Sequence, residues 1–303
     1  MRFGIWSSPA RPWPEILQLV SHCEATGWDS AYFADHFMPN GPDETPLDGD
    51  TLECWSTLSA LAVSVPRLTL GSLVTSVTYR HPAVLAKVAA AVDRLSQGRL
   101  VLGVGAGWQE NEHASYGIAL GSMSARMDRF EEALAILESM LHNARTTFAG
   151  TFFSVTDAPN QPAPVQDRLP IMVGGAGERR TMRMAARYGD RWNSWATPDV
   201  LDARMRVLHE RCEEIGRDSR EISVSTQALL FLSTDESWLA RQRENQAGQA
   251  AIVGTPAEMV EIVGRFQEAG ADELIIPDFT LGSGPRRLET CDLFIEEVAR
   301  HFR

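Results

Sequence analysis

The strongest constraint on this chain is a rhythm. Short apolar runs alternate with helix-spaced stretches over nearly the whole length of its 303 residues. The first run, Arg2 to Trp6, is followed by Pro9, Pro12 and Pro14. Ile16, Val20 and Cys23 then recur at helical spacing until Gly27 stops the helix. Further runs lie at Ala31–Phe33, Leu68–Val77, Arg99–Val104, Ile171–Val173, Arg191–Trp195, Glu221–Leu232 and Glu273–Ile276. The intervening stretches predict helices near 53–64, 82–95, 178–188, 199–215 and 287–302. Met127, Phe130, Leu134, Leu137 and Leu141 mark another, because they fall on one face of a helix. Thr255, Pro256 and Glu258 form a strong helix start. Residues 143–168 break the rhythm, with a hairpin expected around Phe148 to Val155. Residues 235–250 are polar and read as helical or mobile.

A strand followed by a helix, repeated, gives right-handed crossovers and a parallel sheet. Eight such units close into an α/β TIM (β/α)8 barrel. We therefore expect one domain over 1–303, with insertion loops at its C-terminal face, at 37–50, 143–168 and 278–286. An open dinucleotide-binding sheet would place Gly-x-Gly-x-x-Gly after the first strand. Here that turn reads Trp6-Ser7-Ser8-Pro9-Ala10, and Gly103-Val104-Gly105 is followed by Trp108 where the last glycine belongs.

Charge and cysteine usage then exclude partners. The net charge is -12 and no basic stripe occurs, so no nucleic-acid partner is expected. Cys23, Cys54, Cys212 and Cys291 are scattered and form no Cys-x-x-Cys pair. Together with the absence of a tight His or acidic ligand set, this predicts a reduced cytoplasmic protein with no metal site. No signal peptide is expected ahead of Arg2, and no apolar run is long enough to span a membrane.

In a closed barrel the polar residues at the carboxyl ends of the strands converge. They are Asp35-His36, Ser72 to Tyr79, Gly105 to Asn111, Gly174 to Arg179, Trp195 and Asp278. Gly174-Gly175-Ala176-Gly177 leads into a helix, whose first amides bind phosphate with help from the helix dipole. The same glycines could simply make a tight turn. His36 could exchange a proton near neutral pH or serve as a satisfied structural histidine. Trp108 and Trp195 could stack on a flat ring or belong to the core.

The order of these segments resembles the bacterial luciferase-like monooxygenase superfamily, especially its branch of coenzyme F420-dependent oxidoreductases. The resemblance is carried by Gly27 to His36, Arg80 to Lys87, Asp93 to Arg99 and Gly103 to Trp108. It continues through Val173 to Thr181, Ala186 to Asn193, Gly254-Thr255-Pro256 and Ala269 to Glu273. It implies a barrel with F420 across its C-terminal face, a hydride-transfer reaction and a homodimer. FMN in a monooxygenase is the alternative, and a non-catalytic flavin- or deazaflavin-binding protein a second. By resemblance, Asp35 and His36 match a catalytic Asp-His pair, with Asp35 also at the cofactor. Val74, Thr75 and Ser76 match a segment that often holds a non-prolyl cis peptide behind the cofactor ring. Gly105, Ala106, Gly107 and Asn111 match a second wall. Gly174, Gly175, Ala176, Gly177, Glu178 and Arg179 match the cofactor phosphate site. Relatives that oxidise a sugar phosphate carry a glutamate where this chain has Trp108. That departure favours an apolar or aromatic substrate, met by Trp6, Trp108 and Trp195.

Overall fold

The strand residues are buried towards both the helices and the barrel interior, and this decides the architecture. The computed structural model describes residues 1–41 and 43–303; Pro42, in the expected 37–50 loop, lies outside them. Along strand β1 (Arg2–Ser7), Phe3 and Ile5 join the core beneath the helices, while Trp6 joins a separate cluster inside the barrel. Such double-sided burial is what parallel strands require. The remaining barrel strands are β2 (Ser30–Phe33), β3 (Thr69–Ser72), β4 (Leu100–Gly105), β5 (Ile171–Gly174), β6 (Arg191–Trp195), β7 (Ser223–Gln227) and β8 (Glu273–Pro277). Each pairs in parallel with its neighbours in chain order. Pairing of Leu70 with Leu100, and of Gly4 with Ile275 on the far side, completes the closed ring.

An outer layer of helices covers it. Helix Met123–His142 buries Met127, Phe130, Leu134, Leu137 and Leu141, the stripe expected from spacing. Helix Pro256–Glu268 starts with the expected capping box: Glu258 Oε2 accepts from the Thr255 N–H at 2.8 Å. Glycine lets the strands meet inside the barrel. A Cβ on Gly103 would sit 1.9 Å from the Ser72 carbonyl oxygen, and one on Gly71 would strike the Tyr32 ring at 2.7 Å.

The lower interior is polar. The buried Glu273 carboxylate accepts from the Ser30 hydroxyl and from the Tyr32 hydroxyl at 2.9 Å, and Arg191 approaches it at 3.5 Å. Burial and the Glu273 charge push the Tyr32 phenol well above its ordinary value, so it stays a donor.

Three expectations need correction. The third run is not one strand. It leaves the ladder at Leu73, where the Leu73–Val74 peptide is cis, and resumes as Thr75–Ser76 beside Val104 and Gly105. The seventh run, expected at Glu221–Leu232, contains two strands. Ser223–Gln227 stays in the barrel, while Leu229–Leu232 leaves it and pairs in parallel with Ala251–Gly254. The change of sheet falls at Ala228, where no Gly, Pro or turn residue marks it. Within 235–250, Glu236–Asn245 is a helix. The hairpin is longer than expected, pairing Arg145–Ala149 with Ser154–Pro159. The 143–168 segment is not at the C-terminal face: it leads from a helix into the start of β5, and Gln166 bonds to the Leu100 carbonyl at the amino end of β4. Among the described residues no helix is long and apolar enough to cross a membrane.

Candidate active site

Strand β2 delivers two polar residues to the carboxyl end of the barrel, and they have different surroundings. Asp35 is buried. Arg80 grips both its oxygens, Nη1 to Oδ2 at 2.6 Å and Nη2 to Oδ1 at 3.1 Å. Arg80 also reaches Glu53, which caps helix Cys54–Ser64 by accepting from the Trp55 and Ser56 N–H groups. Asp35 is thus the anchor of a brace, and its carboxylate is occupied by the guanidinium. The expected Asp-His pair is neighbouring in sequence but is not joined by a hydrogen bond among the described residues.

The carboxylate that holds His36 is Glu112, on the short helix Glu110–Ser115. His36 Nδ1 lies 2.8 Å from Glu112 Oε1, the Phe37 N–H donates to Oε2 at 2.8 Å, and the Tyr79 hydroxyl donates to Oε1. Burial alone would push the Glu112 carboxyl up. The hydrogen bond and charge of His36, with the Tyr79 and Phe37 donors, outweigh this and hold it below the ordinary range. An ionised carboxylate only accepts, so Nδ1 carries the hydrogen in this contact and Nε2 is the ring nitrogen it leaves uncommitted. The imidazole is partly exposed and stands edge-on to Trp108, with ring centroids 5.6 Å apart. Neighbouring His113 is different. Burial lowers its pKa, and Nδ1 and Nε2 are held by the Gln109 carbonyl and the Thr78 hydroxyl.

A carboxyl depressed on folding lends stability above its ordinary value of 4.5, and that share is lost as pH falls through the lower folded value. We therefore expect Glu112→Gln to lose about 1–3 kcal/mol at pH 7. The gap to wild type should narrow as the pH falls below 4.5. Urea unfolding at a series of pH values checks this; a gap that stays constant with pH counts against an ionised Glu112.

The cofactor-wall candidates largely come together. Val74 fits between two strands: a Cβ on Gly105 or on Gly174 would each lie 2.8 Å from a Val74 methyl. A Cβ on Gly107 would lie 2.5 Å from Ser76 Oγ. Val74, Ser76, Gly105, Gly107 and Gly174 therefore form one continuous surface, with Ala106 inside the Gly105–Gly107 turn. Thr75 is buried behind it, accepting from the Trp55 indole at 3.1 Å. Asn111 stands apart. Its amide donates to the Pro39 carbonyl at 2.9 Å and its oxygen accepts from the Glu112 N–H, which tethers the loop after His36.

The helix after β5 begins at Thr181, later than the expected 178. Gly175 has a positive φ of 126°, and its N–H is occupied by the Asn193 carbonyl. The N–H groups of Ala176, Gly177, Glu178 and Arg179 have no acceptor among the described residues, so the turn offers free donors. Arg180 is engaged by Asp128 and Glu131, whereas Arg179 pairs with no carboxylate among the described residues. Reading the sequence missed Arg126. It donates to the Gly107 carbonyl at 3.0 Å, pairs with no carboxylate among the described residues, and buries an Nε without an acceptor. Its place one residue before the Met127 stripe gave no signal.

Of the three predicted substrate residues, Trp6 and Trp195 meet with ring centroids 5.5 Å apart, and Phe279 joins Trp6 at 5.1 Å. Trp108 lies instead against His36. A groove of about 520 Å³ at the opposite, amino face is lined by Asp202, His209, Arg220, Glu268 and Asp272. None of the sequence-predicted site residues lines it. Among the described residues no group of three His, Cys, Asp or Glu side chains is placed to hold a metal ion.

The family described as luciferase-like monooxygenase matches residues 1–247. An F420-dependent glucose-6-phosphate dehydrogenase of Microbacterium testaceum is 33% identical, over 92% of this chain and 91% of the relative. An F420-dependent hydroxymycolic acid dehydrogenase of Mycobacterium tuberculosis is 28% identical, over 88% of this chain and 73% of the relative. An F420-dependent secondary alcohol dehydrogenase, solved with an F420–acetone adduct, superposes with a TM-score of 0.83 at 21% identity and 98% coverage of both chains, a likeness of fold.

Proposed function

This chain belongs to the luciferase-like monooxygenase family, in its branch of F420-dependent dehydrogenases, and from that premise we propose that it transfers a hydride between coenzyme F420 and a small neutral organic substrate. The observation that carries the reading is a histidine held by a buried carboxylate, beside a glycine-lined surface at the barrel mouth. Two features suit the cofactor. Gly105 and Gly174 let Val74 seat between the strands, which builds a close-packed wall on which the cofactor ring could lie. Arg126, Arg179 and the free amides of Ala176 to Arg179 suit an anionic phosphodiester.

Bound F420 supplies the hydride acceptor or donor. The chain's own residues do the rest. His36 Nε2 takes the hydroxyl proton when an alcohol is oxidised, and returns it in the reverse direction. Glu112 keeps Nδ1 protonated, so that Nε2 faces the substrate as the free base. Trp108 and Trp195 exclude water from the reacting atoms. The aromatic lining favours an apolar or aromatic substrate over a sugar phosphate. The chain's one lysine, Lys87, is occupied by the Gln161 carbonyl. Four free and buried cysteines suit the cytoplasm as its compartment.

Titration with F420 and with FMN, followed by fluorescence, tests the cofactor. Micromolar F420 binding without FMN binding supports the reading; the opposite result replaces it with a flavin enzyme. Arg126→Ala should weaken F420 binding about tenfold, the loss expected for one charge-assisted hydrogen bond. Arg126→Lys should recover part of that affinity. Unchanged binding by Arg126→Ala removes Arg126 from the anion site.

A further inference from the structure

Two buried polar atoms at the mouth of the barrel have no partner among the described residues. One is a donor, Trp6 Nε1, and the other an acceptor, Gln227 Oε1. Their side chains are 9% and 4% exposed, so solvent does not replace the missing partners. Nor does the Gln227 amide nitrogen make a hydrogen bond to a described residue.

The register and the ring contacts set the two side chains around one patch. Gln227 is the last residue of β7 and lies level with Trp195 of β6. It follows Ser225, whose hydroxyl contacts Met172 in the barrel interior, by two residues, so both point inward. Trp195 packs on Trp6, and Trp6 on Phe279. The Trp195 and Phe279 rings are 37% and 46% exposed, so the patch opens onto the mouth. His36 follows β2, and β2 and β6 lie opposite each other in the eight-membered ring.

We propose that Trp6 and Gln227 form a neutral subsite for a second hydroxyl group on the substrate, at the end away from the group that meets His36. A hydroxyl both accepts and donates, and so satisfies the indole N–H and the amide oxygen together. Both unpartnered atoms are uncharged, while the nearby charges are engaged elsewhere, Arg11 by Asp278 and Arg204 by the Trp195 carbonyl, so the patch suits a neutral group that keeps both hydrogen bonds. The substrate class is therefore an apolar molecule that lies on aromatic rings and carries a hydroxyl at each end. The inference rests on the reading of the mouth as the active site, but not on which cofactor binds.

The test uses p-cresol and 4-methylanisole, which differ in the hydroxyl donor, with the intact protein in calorimetry. Wild type should bind p-cresol about tenfold more tightly, and Gln227→Met should abolish the preference. Trp6→Phe should weaken both ligands. Gln227→Met, close in shape to the native side chain, should leave the melting temperature unchanged or higher, because it removes an unpaired buried oxygen. Equal binding of the two fragments by wild type overturns the proposal. So does a melting temperature several degrees lower in Gln227→Met, which would show that the amide already has partners. A tenfold weaker F420 affinity in Gln227→Met would assign the subsite to the cofactor ring and overturn it too. If wild type binds no F420 yet keeps the p-cresol preference, the cofactor assignment fails and the subsite stands.

Discussion

Replacing His36 with alanine should lower kcat by roughly 10²–10⁴-fold, the usual contribution of a positioned general acid–base group. F420 affinity should change little, because the Gly105, Val74 and Gly174 surface and the β5 turn do not depend on the imidazole. Glu112 accepts from Nδ1, which leaves Nε2 as the ring nitrogen available to a substrate. Removing the ring removes the proton acceptor and leaves Glu112 with two donors, Tyr79 and the Phe37 N–H. Single-turnover measurements with saturating cofactor check this. A variant with near-normal turnover would show that His36 only lines the mouth.

Asp35→Ala should cost about 3–5 kcal/mol of stability, the range for breaking one side of a buried ion pair. Its side chain is fully buried, while that of Arg80 is 17% exposed. The truncation strips both carboxylate oxygens from a guanidinium that keeps only Glu53. It also loosens the N-terminus of helix Cys54–Ser64, which Glu53 caps. Removing Arg80 as well should recover part of the loss, since the stranded charge goes with it. Urea unfolding of the single and double variants checks the sign. If Asp35→Asn instead kept full stability but lost turnover, Asp35 would act on the reacting groups rather than as a brace.

The barrel was legible in the sequence because parallel strands buried on both faces must be apolar runs, and because Pro, Gly and capping residues punctuate them. The parts that escaped notice have specific causes. His36 and Glu112 are 76 positions apart, and the adjacent Asp35 is the more obvious partner. Helix Glu110–Ser115, only 6 residues long, is too short to show a period. Trp108 stands where the resembling sugar-phosphate oxidisers carry a glutamate; Glu110 and Glu112 are visible nearby in the sequence but displaced from that position, so their roles do not follow from the motif. The Val74, Gly105 and Gly174 surface was expected from resemblance, and its basis in close approach appears only when three strands are placed side by side. Arg126 and Gln227 carry no motif at all. Each buries one polar atom without a partner among the described residues, Nε of Arg126 and Oε1 of Gln227, and a linear chain does not display that.

The polar stopper in the lower barrel has a consequence for traffic. Glu273, with Ser30, Tyr32 and Arg191, fills the amino end with buried, bonded side chains, so the carboxyl end is the side from which a ligand is expected to enter. Whatever lies against Val74 is in the deeper berth, and whatever rests on the Trp195 and Phe279 rings is nearer the door. A ligand on the upper rings would stand between the Val74 surface and solvent, so the deeper ligand is expected to bind first and leave last, an order the barrel imposes before any chemistry.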